Sequence, residues 1–339
     1  MTPRHSLLIV GGGSIGERHL RCFAATRRVG LSLCEADPAR RETVADRYQI
    51  QARFSKIQDA LERKPGAVVI CTPAHTHIPV ALTAAQSGAH LLIEKPLSTT
   101  LDGLAELQRE IVLRGLTTVV AYVYRAHPVL TAMRAAIQAG EFGKPVEIVV
   151  VSGQHFPFYR PAYRDTCYRS RATGGGAIQD AITHMINAGE WLVGPVDSLV
   201  ADADHLLLPG VEVEDTVHVL TRHGRAMGSF SLNQHQAPNE SSITVVCERG
   251  TARFEIHQGQ WCRATRPGDP WQVVLKNDLE RDTLFARQAE AFLNTIEGSQ
   301  PPLCKLEEGI QALRVNLAIL ESVAKRAWQD LQTPQDSHA

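Results

Sequence analysis

The chain has 339 residues, 44% of them hydrophobic, and its 35 basic against 36 acidic side chains leave a net charge of −1. This length exceeds one ordinary hydrophobic core, so two domains are expected at roughly 100–200 residues each. The balanced charge argues against a nucleic-acid partner, and no apolar run approaches the ~20 residues of a membrane span. Seven scattered cysteines and the lack of a signal-peptide pattern predict a cytoplasmic protein with reduced thiols.

Short apolar strands alternate with helices over the first third of the chain. The predicted strands are 7–10, 31–34, 52–54, 67–71, 90–94 and 118–122, and the predicted helices are 15–25, 38–48, 55–61, 77–87 and 101–114. Pro38 suits a first helical turn, Ser55 an N-cap, and Gly88 and Gly115 helix ends. Strands separated by helices predict an α/β domain over residues 1–123, with a parallel sheet and right-handed crossovers.

The pattern changes near Tyr124, where β-branched residues become frequent. A helix at 128–139 is followed by predicted strands at 147–155, 198–205, 215–221, 226–233, 243–248 and 252–257, interrupted by a helix at 177–193. Close spacing and turns such as Arg249-Gly250 predict hairpins in a large, mostly antiparallel open sheet. Helices near 282–297 and 306–331 complete an α+β domain over 124–331, with a C-terminal helix able to pack back on the first domain. Residues 332–339 form a polar tail.

The first chemical signal is Gly11-Gly-Gly13-Ser14-Ile15-Gly16, directly after a strand and at the start of a helix. Gly11 permits a tight turn, Gly13 lets a diphosphate approach the backbone, and Gly16 lets the helix and strand pack closely. The diphosphate would lie at the helix N-terminus, where free N–H groups and the helix dipole favour an anion. In this strand–turn–helix context the pattern predicts a Rossmann dinucleotide-binding domain.

An acidic residue, Glu35, ends the second predicted strand 19 positions after Gly16. A solvated strand-end carboxylate is one interpretation. In the nucleotide-binding context, a carboxylate here accepts both ribose hydroxyls of NAD. It should also repel a 2′-phosphate, so NAD is expected over NADP, a preference that the nearby Arg40 and Arg41 moderate.

A lysine stands at the end of the fifth predicted strand, in Glu94-Lys95-Pro96. Ligands of open α/β sheets bind outside the carboxyl ends of the strands, so Lys95 would point into the cleft. Taken alone, the segment fits an ordinary loop lysine better.

A triple-glycine loop at 174–176 opens a helix that carries Asp180 and His184 at positions i and i+4. This spacing puts both side chains on one helical face, where the carboxylate can orient the imidazole for proton transfer near neutral pH. One alternative is a surface hydrogen bond without further role. Another is a metal site with His155 as third ligand, which the charge of Lys95 would oppose.

Together, GGGSIG, CTPAHTH at 71–77, EKP at 94–96 and GGGAIQDAITH at 174–184 resemble the Gfo/Idh/MocA oxidoreductase family over nearly the whole chain. The resemblance implies an NAD(P)-dependent dehydrogenase of cyclic sugars, polyols or their derivatives. It also implies a homodimer or homotetramer joined through the second domain's sheet. Many members carry Asp three residues after the histidine, where this chain has Asn187, which leaves the substrate subgroup open.

The same resemblance implies roles for particular residues. Lys95, Asp180 and His184 would form a catalytic trio, with no metal. Arg125 looks like the family's cleft arginine. The implied cofactor-side contacts are Thr72, Pro73, His77 and Glu94.

The segment from His155 to the glycine loop is dense in aromatic and basic residues. We expect it to overhang the cleft, with His155, Tyr163 and Arg164 as substrate contacts. Tyr159, Arg160, Tyr168 and Arg169 share this chemistry. A subunit contact is an equal alternative, because arginine and tyrosine are enriched at interfaces.

The expected reaction is oxidation of a secondary alcohol by hydride transfer to NAD. His184 would take the hydroxyl proton, Asp180 would orient His184, and Lys95 would donate to the developing alkoxide. Two alternatives remain: a redox-neutral glycosidase that retains NAD, and a non-catalytic NAD-binding regulator. The intact trio argues against the regulator, which has no need of acid–base groups.

Overall fold

The computed structural model describes residues 4–280 and 282–331. They fall into two units: the first comprises the described residues of 1–126 and 280–309, and the second those of 127–279 and 310–339. No helix among the described residues is both long and apolar enough to cross a membrane.

The first unit is built on a six-stranded sheet with the order β3-β2-β1-β4-β5-β6, in which every neighbouring pair is parallel. The strands are β1 (His5–Val10), β2 (Val29–Cys34), β3 (Arg53–Phe54), β4 (Ala67–Ile70), β5 (His90–Ile93) and β6 (Thr118–Val120). The helices are α1 (Ser14–Thr26), α2 (Pro38–Arg47), α3 (Ile57–Leu61), α4 (His77–Gln86), α5 (Leu104–Arg114) and, from later in the chain, α9 (Thr283–Ile296). This strand order is that of the doubly wound dinucleotide-binding fold, which confirms the predicted Rossmann sheet.

The core of this unit explains why its strands appear as continuous apolar runs in the sequence. Leu7, Leu8 and Ile9 of β1 are fully buried, as are Val68 and Val69 of β4. Strands of a parallel sheet are covered on both faces, so alternation of polar and apolar residues disappears.

Two details differ from the expectation. Helix α3 begins at Ile57 with Lys56 at its N-cap and no side-chain cap, so Ser55 does not cap it. Residues 280–309, assigned from the sequence to the second domain, lie in the first unit. The reason is that α9 buries Phe292 and Leu293 in the same apolar cluster as α1.

The second unit is built on a nine-stranded sheet with the order β14-β13-β12-β11-β7-β10-β9-β8-β15. Only the pair β7 and β10 is parallel, and the other neighbours are antiparallel, which confirms the predicted architecture. The strands are β7 (Pro145–Gly153), β8 (Ser198–Asp204), β9 (Thr216–His223), β10 (Ala226–Asn233), β11 (Glu240–Cys247), β12 (Gly250–Glu255), β13 (Gln260–Ala264), β14 (Gln272–Lys276) and β15 (Gln329–Asp330). The helices are α6 (Pro128–Gln138), α7 (Phe156–Tyr159), α8 (Thr183–Val193) and most of α10 (Leu306–Lys325).

Strands β13, β14 and β15 were not expected from the sequence. Every residue of β14 is exposed, so it has no buried face and no alternating pattern. The predicted helix at 306–331 ends at Lys325, and β15 pairs with β8. The predicted tail at 332–339 lies outside the described residues.

Candidate active site

The turn between β1 and α1 has the features of a diphosphate site. Gly11 has φ +96°, and a Cβ on Gly16 would lie 1.8 Å from the Gly11 carbonyl oxygen. No atom lies within 4 Å of where a Cβ of Gly13 would be. Helix α1 begins at Ser14, followed by Ile15, with no side-chain cap at its N-terminus. The open space and the uncapped N–H groups fit an incoming diphosphate.

Glu35 lies directly after β2, beside this turn, and is 7% exposed. Its Oε2 accepts a hydrogen bond from the Gly12 N–H at 2.7 Å, and its Oε1 accepts one from the Asp37 N–H at 2.9 Å. The Arg40 guanidinium is 3.6 Å away, and Arg41 donates to the Glu35 carbonyl oxygen at 3.0 Å. Each carboxylate oxygen keeps a further lone pair, so the group fits the ribose hydroxyls of NAD.

His77 joins the segments that follow β4 and β5. Its ring nitrogens lie 2.7 Å from the Thr72 carbonyl oxygen and 3.0 Å from that of Pro96, and burial lowers the pKa of the imidazole. Pro73 precedes a short 3-10 turn over Ala74–Thr76. Because carbonyl oxygens of both segments face its ring nitrogens, His77 joins the backbone of the two segments, and its implied cofactor contact stays a prediction.

Glu94 is buried, and its carboxylate is engaged inside the first unit. Oε1 lies 2.6 Å from Nε2 of His19 on α1, and Oε2 accepts the Lys95 N–H at 3.1 Å. Lys95 itself is half-buried at the carboxyl end of β5. Glu94 therefore holds the Lys95 backbone, and its implied contact with the cofactor stays a prediction. The sequence assigned no role to His19, since nothing local marks its partner 75 positions later.

Asp180 and His184 lie in the second unit, and both are half-buried. The predicted helix at 177–193 begins as a π-helix over Ala177–Ile182 and continues as α8. Asp180 therefore lies in the π-helical part, which changes the expected α-helical geometry. Such π-helical turns recur at functional sites.

The predicted substrate contacts have varied surroundings. Arg125 belongs to the first unit, is 3% exposed and pairs with Glu308 at 2.7 Å. His155 is exposed. Tyr163 is packed in an aromatic cluster, and its hydroxyl donates to the Pro209 carbonyl oxygen at 2.6 Å. Nε of Arg164 donates to the same oxygen at 2.8 Å.

This arrangement corrects the expectation for Tyr163, whose ring and hydroxyl are used for packing within the second unit. Phe156 and Tyr168 share its cluster, which also contains Leu208, Val211 and Val213, so the 155–176 segment packs against the segment before β9. Phe158 and Tyr159 are exposed. Across the described ranges, no three His, Cys, Asp or Glu side chains are grouped to hold a metal ion.

The strand order, the glycine turn and the acidic residue after β2 define a dinucleotide-binding domain. Residues 6–122 match the family model described as "Oxidoreductase family, NAD-binding Rossmann fold", and residues 130–253 match the "GFO/IDH/MocA C-terminal domain". The chain belongs to the GFO/IDH/MocA family of oxidoreductases. This membership confirms the expected enzyme class and the NAD cofactor.

The chain is similar along its length to several characterised proteins. Levoglucosan dehydrogenase of Pseudarthrobacter phenanthrenivorans is 24% identical, with 95% of this chain and 97% of the relative covered. Inositol 2-dehydrogenase of Rhizobium meliloti is 26% identical, with 96% and 98% covered. A solved levoglucosan dehydrogenase in complex with NADH and levoglucosan superimposes with a TM-score of 0.88 at 20% identity, covering 97% of this chain and 100% of that one, which shows a shared fold.

Proposed function

We propose that this protein is an NAD-dependent dehydrogenase that oxidises a secondary alcohol of a cyclic sugar, a polyol such as an inositol, or a sugar derivative. One observation carries the proposal: the chain contains two sets of features. The first is a glycine turn with Glu35 beside it, as in NAD-binding domains. The second is the set of acid–base residues Lys95, Asp180 and His184. A binding module has no need of such acid–base groups. Relatives named levoglucosan dehydrogenase and inositol 2-dehydrogenase support a cyclic polyhydroxylated substrate.

In the proposed mechanism, bound NAD supplies the hydride acceptor. The uncapped N-terminus of α1 would hold the diphosphate, and Glu35 would accept hydrogen bonds from the ribose hydroxyls. His184 removes the proton from the substrate hydroxyl, and Asp180 orients the imidazole and stabilises its charged form. Lys95 donates a hydrogen bond to the oxygen as it becomes alkoxide-like. Arg125 and His155 remain proposed substrate contacts, and Arg164 a weaker one because it is bonded to Pro209.

A substrate panel tests this proposal. Purified protein is mixed with NAD and separate sugars, inositols, anhydrosugars and sugar acids, and absorbance is followed at the NADH band. The proposal expects NADH with a subset of the cyclic alcohols and NADH formation that is about 10²–10⁴-fold slower with His184→Ala. Glycoside cleavage without net NADH would indicate the redox-neutral glycosidase. NAD binding without turnover of any compound would indicate the regulator.

We also propose a homodimer or homotetramer formed through the second unit's sheet. Val151 of β7, Met227 of β10 and Leu220 of β9 are each about half exposed on three neighbouring strands. These side chains lie on the same exposed face of the sheet, and exposed apolar residues grouped on one face favour an interaction surface there. Light scattering should show an oligomer that Leu220→Glu weakens. The matched control is Val112→Glu, which changes an exposed apolar residue of α5 in the first unit and should have no effect.

A further inference from the structure

Glu214 lies two residues before β9 and is almost completely buried, at 3% exposure. Its Oε1 accepts the Ile178 N–H at 3.1 Å, and its backbone carbonyl oxygen accepts the Ala177 N–H at 2.8 Å. These are N–H groups of the first turn of the helix that carries Asp180 and His184. Glu214 therefore supplies, from 36 positions along the chain, the cap that the helix lacks locally.

The triple-glycine loop is shaped by this contact. A Cβ on Gly176 would lie 2.4 Å from Oε1 of Glu214, and one on Gly175 would lie 1.9 Å from the Tyr168 carbonyl oxygen. Larger residues at these positions would push away the carboxylate and the preceding turn. The glycines thus permit a protein carboxylate to reach the helix N-terminus.

Arg171 completes the arrangement. Its guanidinium donates to Oε2 of Glu214 at 2.8 Å, and its carbonyl oxygen accepts from Nε2 of Gln179 at 2.9 Å. The buried carboxylate is therefore compensated by a guanidinium and by the positive end of a helix dipole. Residue 171 is thus bonded to Glu214 through its side chain and to the helix through its backbone carbonyl oxygen.

We propose that Glu214 is a positioning residue for the acid–base pair, and this rests on the proposed function. By holding the N–H groups at 177 and 178, it fixes the rotation and height of the π-helical turn. Asp180 lies two residues further on and His184 six. Glu214 acts through the length of its side chain and the hydrogen bond that it accepts from the Ile178 N–H. Its negative charge contributes less to positioning because the Arg171 guanidinium neutralises it.

Two conservative variants distinguish the effect of side-chain length from the effect of charge. Glu214→Gln keeps the length and an acceptor oxygen for the Ile178 N–H but removes the charge. Glu214→Asp keeps the charge but is one methylene too short. We expect Glu214→Asp to lower kcat by about 10²-fold, as for a catalytic group displaced by about 1 Å, with NAD affinity unchanged. Glu214→Gln should retain most of kcat and the wild-type pH profile. Glu212→Gln, at an exposed position two residues earlier, is the matched control and should behave as wild type.

Hydrogen–deuterium exchange of the 175–185 peptide gives a readout that needs no substrate. Exchange should be faster in Glu214→Asp and close to wild type in Glu214→Gln. If the wild-type protein oxidises no compound of the panel, the proposed function fails while this comparison still tests the positioning role. Full activity and protection in Glu214→Asp, or loss of both in Glu214→Gln with Glu214→Asp intact, would overturn the inference.

Discussion

Nε2 of His19 and Oε1 of Glu94 lie 2.6 Å apart in the interior of the first unit and join α1 to the end of β5. Nδ1 of His19 has no hydrogen-bond partner within the described part of the chain. The hydrogen bond runs from Nε2–H of His19 to the Glu94 carboxylate, because a carboxylate can only accept. Since Glu94 also accepts the Lys95 N–H, this pair links α1 to the backbone of the proposed catalytic lysine.

Replacing His19 should therefore destabilise the protein. His19→Leu leaves a buried carboxylate oxygen without this donor, and a buried polar group left unsatisfied costs about 1–3 kcal/mol. We expect the free energy of unfolding, measured by urea denaturation, to fall by roughly this amount. His19→Gln can still donate from its amide and should lose less. Equal stability of His19→Leu and the wild type would show that the pair contributes nothing.

Cofactor choice should depend on Glu35. Glu35→Ser removes the charge that repels a 2′-phosphate and leaves Arg40 and Arg41 next to the site. We expect the ratio of NAD to NADP affinity, measured by fluorescence titration, to shift towards NADP. The control Glu106→Ser removes an exposed carboxylate from α5 in the same unit and should leave the ratio unchanged. A wild-type protein that already prefers NADP would contradict the role of Glu35.

Lys95→Ala should reduce turnover while NAD affinity stays within a small factor. Loss of a preorganised donor to a developing oxyanion typically costs ~10²–10³ in rate. His184→Ala should cost about 10²–10⁴ and flatten the acid limb of the pH profile. The double variant should lose much less than the product, since both groups serve one proton transfer. Stopped-flow hydride transfer on the two single variants and the double one measures this. Fully multiplicative losses would refute the shared role.

Stability should decrease in mild acid. Burial lowers the pKa of His223, whose ring contacts the Gly194 carbonyl oxygen and the Thr221 hydroxyl, and burial acts the same way on His77 and His90. In the unfolded chain these histidines become protonated near pH 6.5, whereas in the folded chain they stay neutral to a lower pH. The free energy of unfolding should therefore fall as the pH drops below about 6.5.

The contribution of one histidine can be measured directly. His223→Gln removes one of the three groups, so the difference in unfolding free energy between pH 7.5 and 5.5, measured in urea, should become smaller than in the wild type. His218→Gln, at an exposed position of the same strand, is the matched control and should leave the difference unchanged. An unchanged difference in His223→Gln would contradict the assignment.

Local pattern was enough for much of the fold. Continuous apolar runs between helices predicted the parallel sheet, and β10 has the predicted limits, 226–233. Where a strand lacks a buried face, as in β14, the pattern vanishes and the strand was missed. The π-helical start of the helix at 177 also escaped prediction, because Gly176 packs against the Glu214 carboxylate, a distant group that the local sequence does not reveal.

The sequence by itself determined the nucleotide-binding turn, because a tight turn after a strand, an open helix N-terminus and a nearby acid are local features. It also placed Lys95 at a strand end. Only the tertiary structure decided which buried side chains position the proposed catalytic residues. Glu94 contacts His19 from 75 positions away and Glu214 contacts Ile178 from 36 positions away. Such contacts form where the packed core brings distant segments together, and no local periodicity encodes which buried polar groups will meet there.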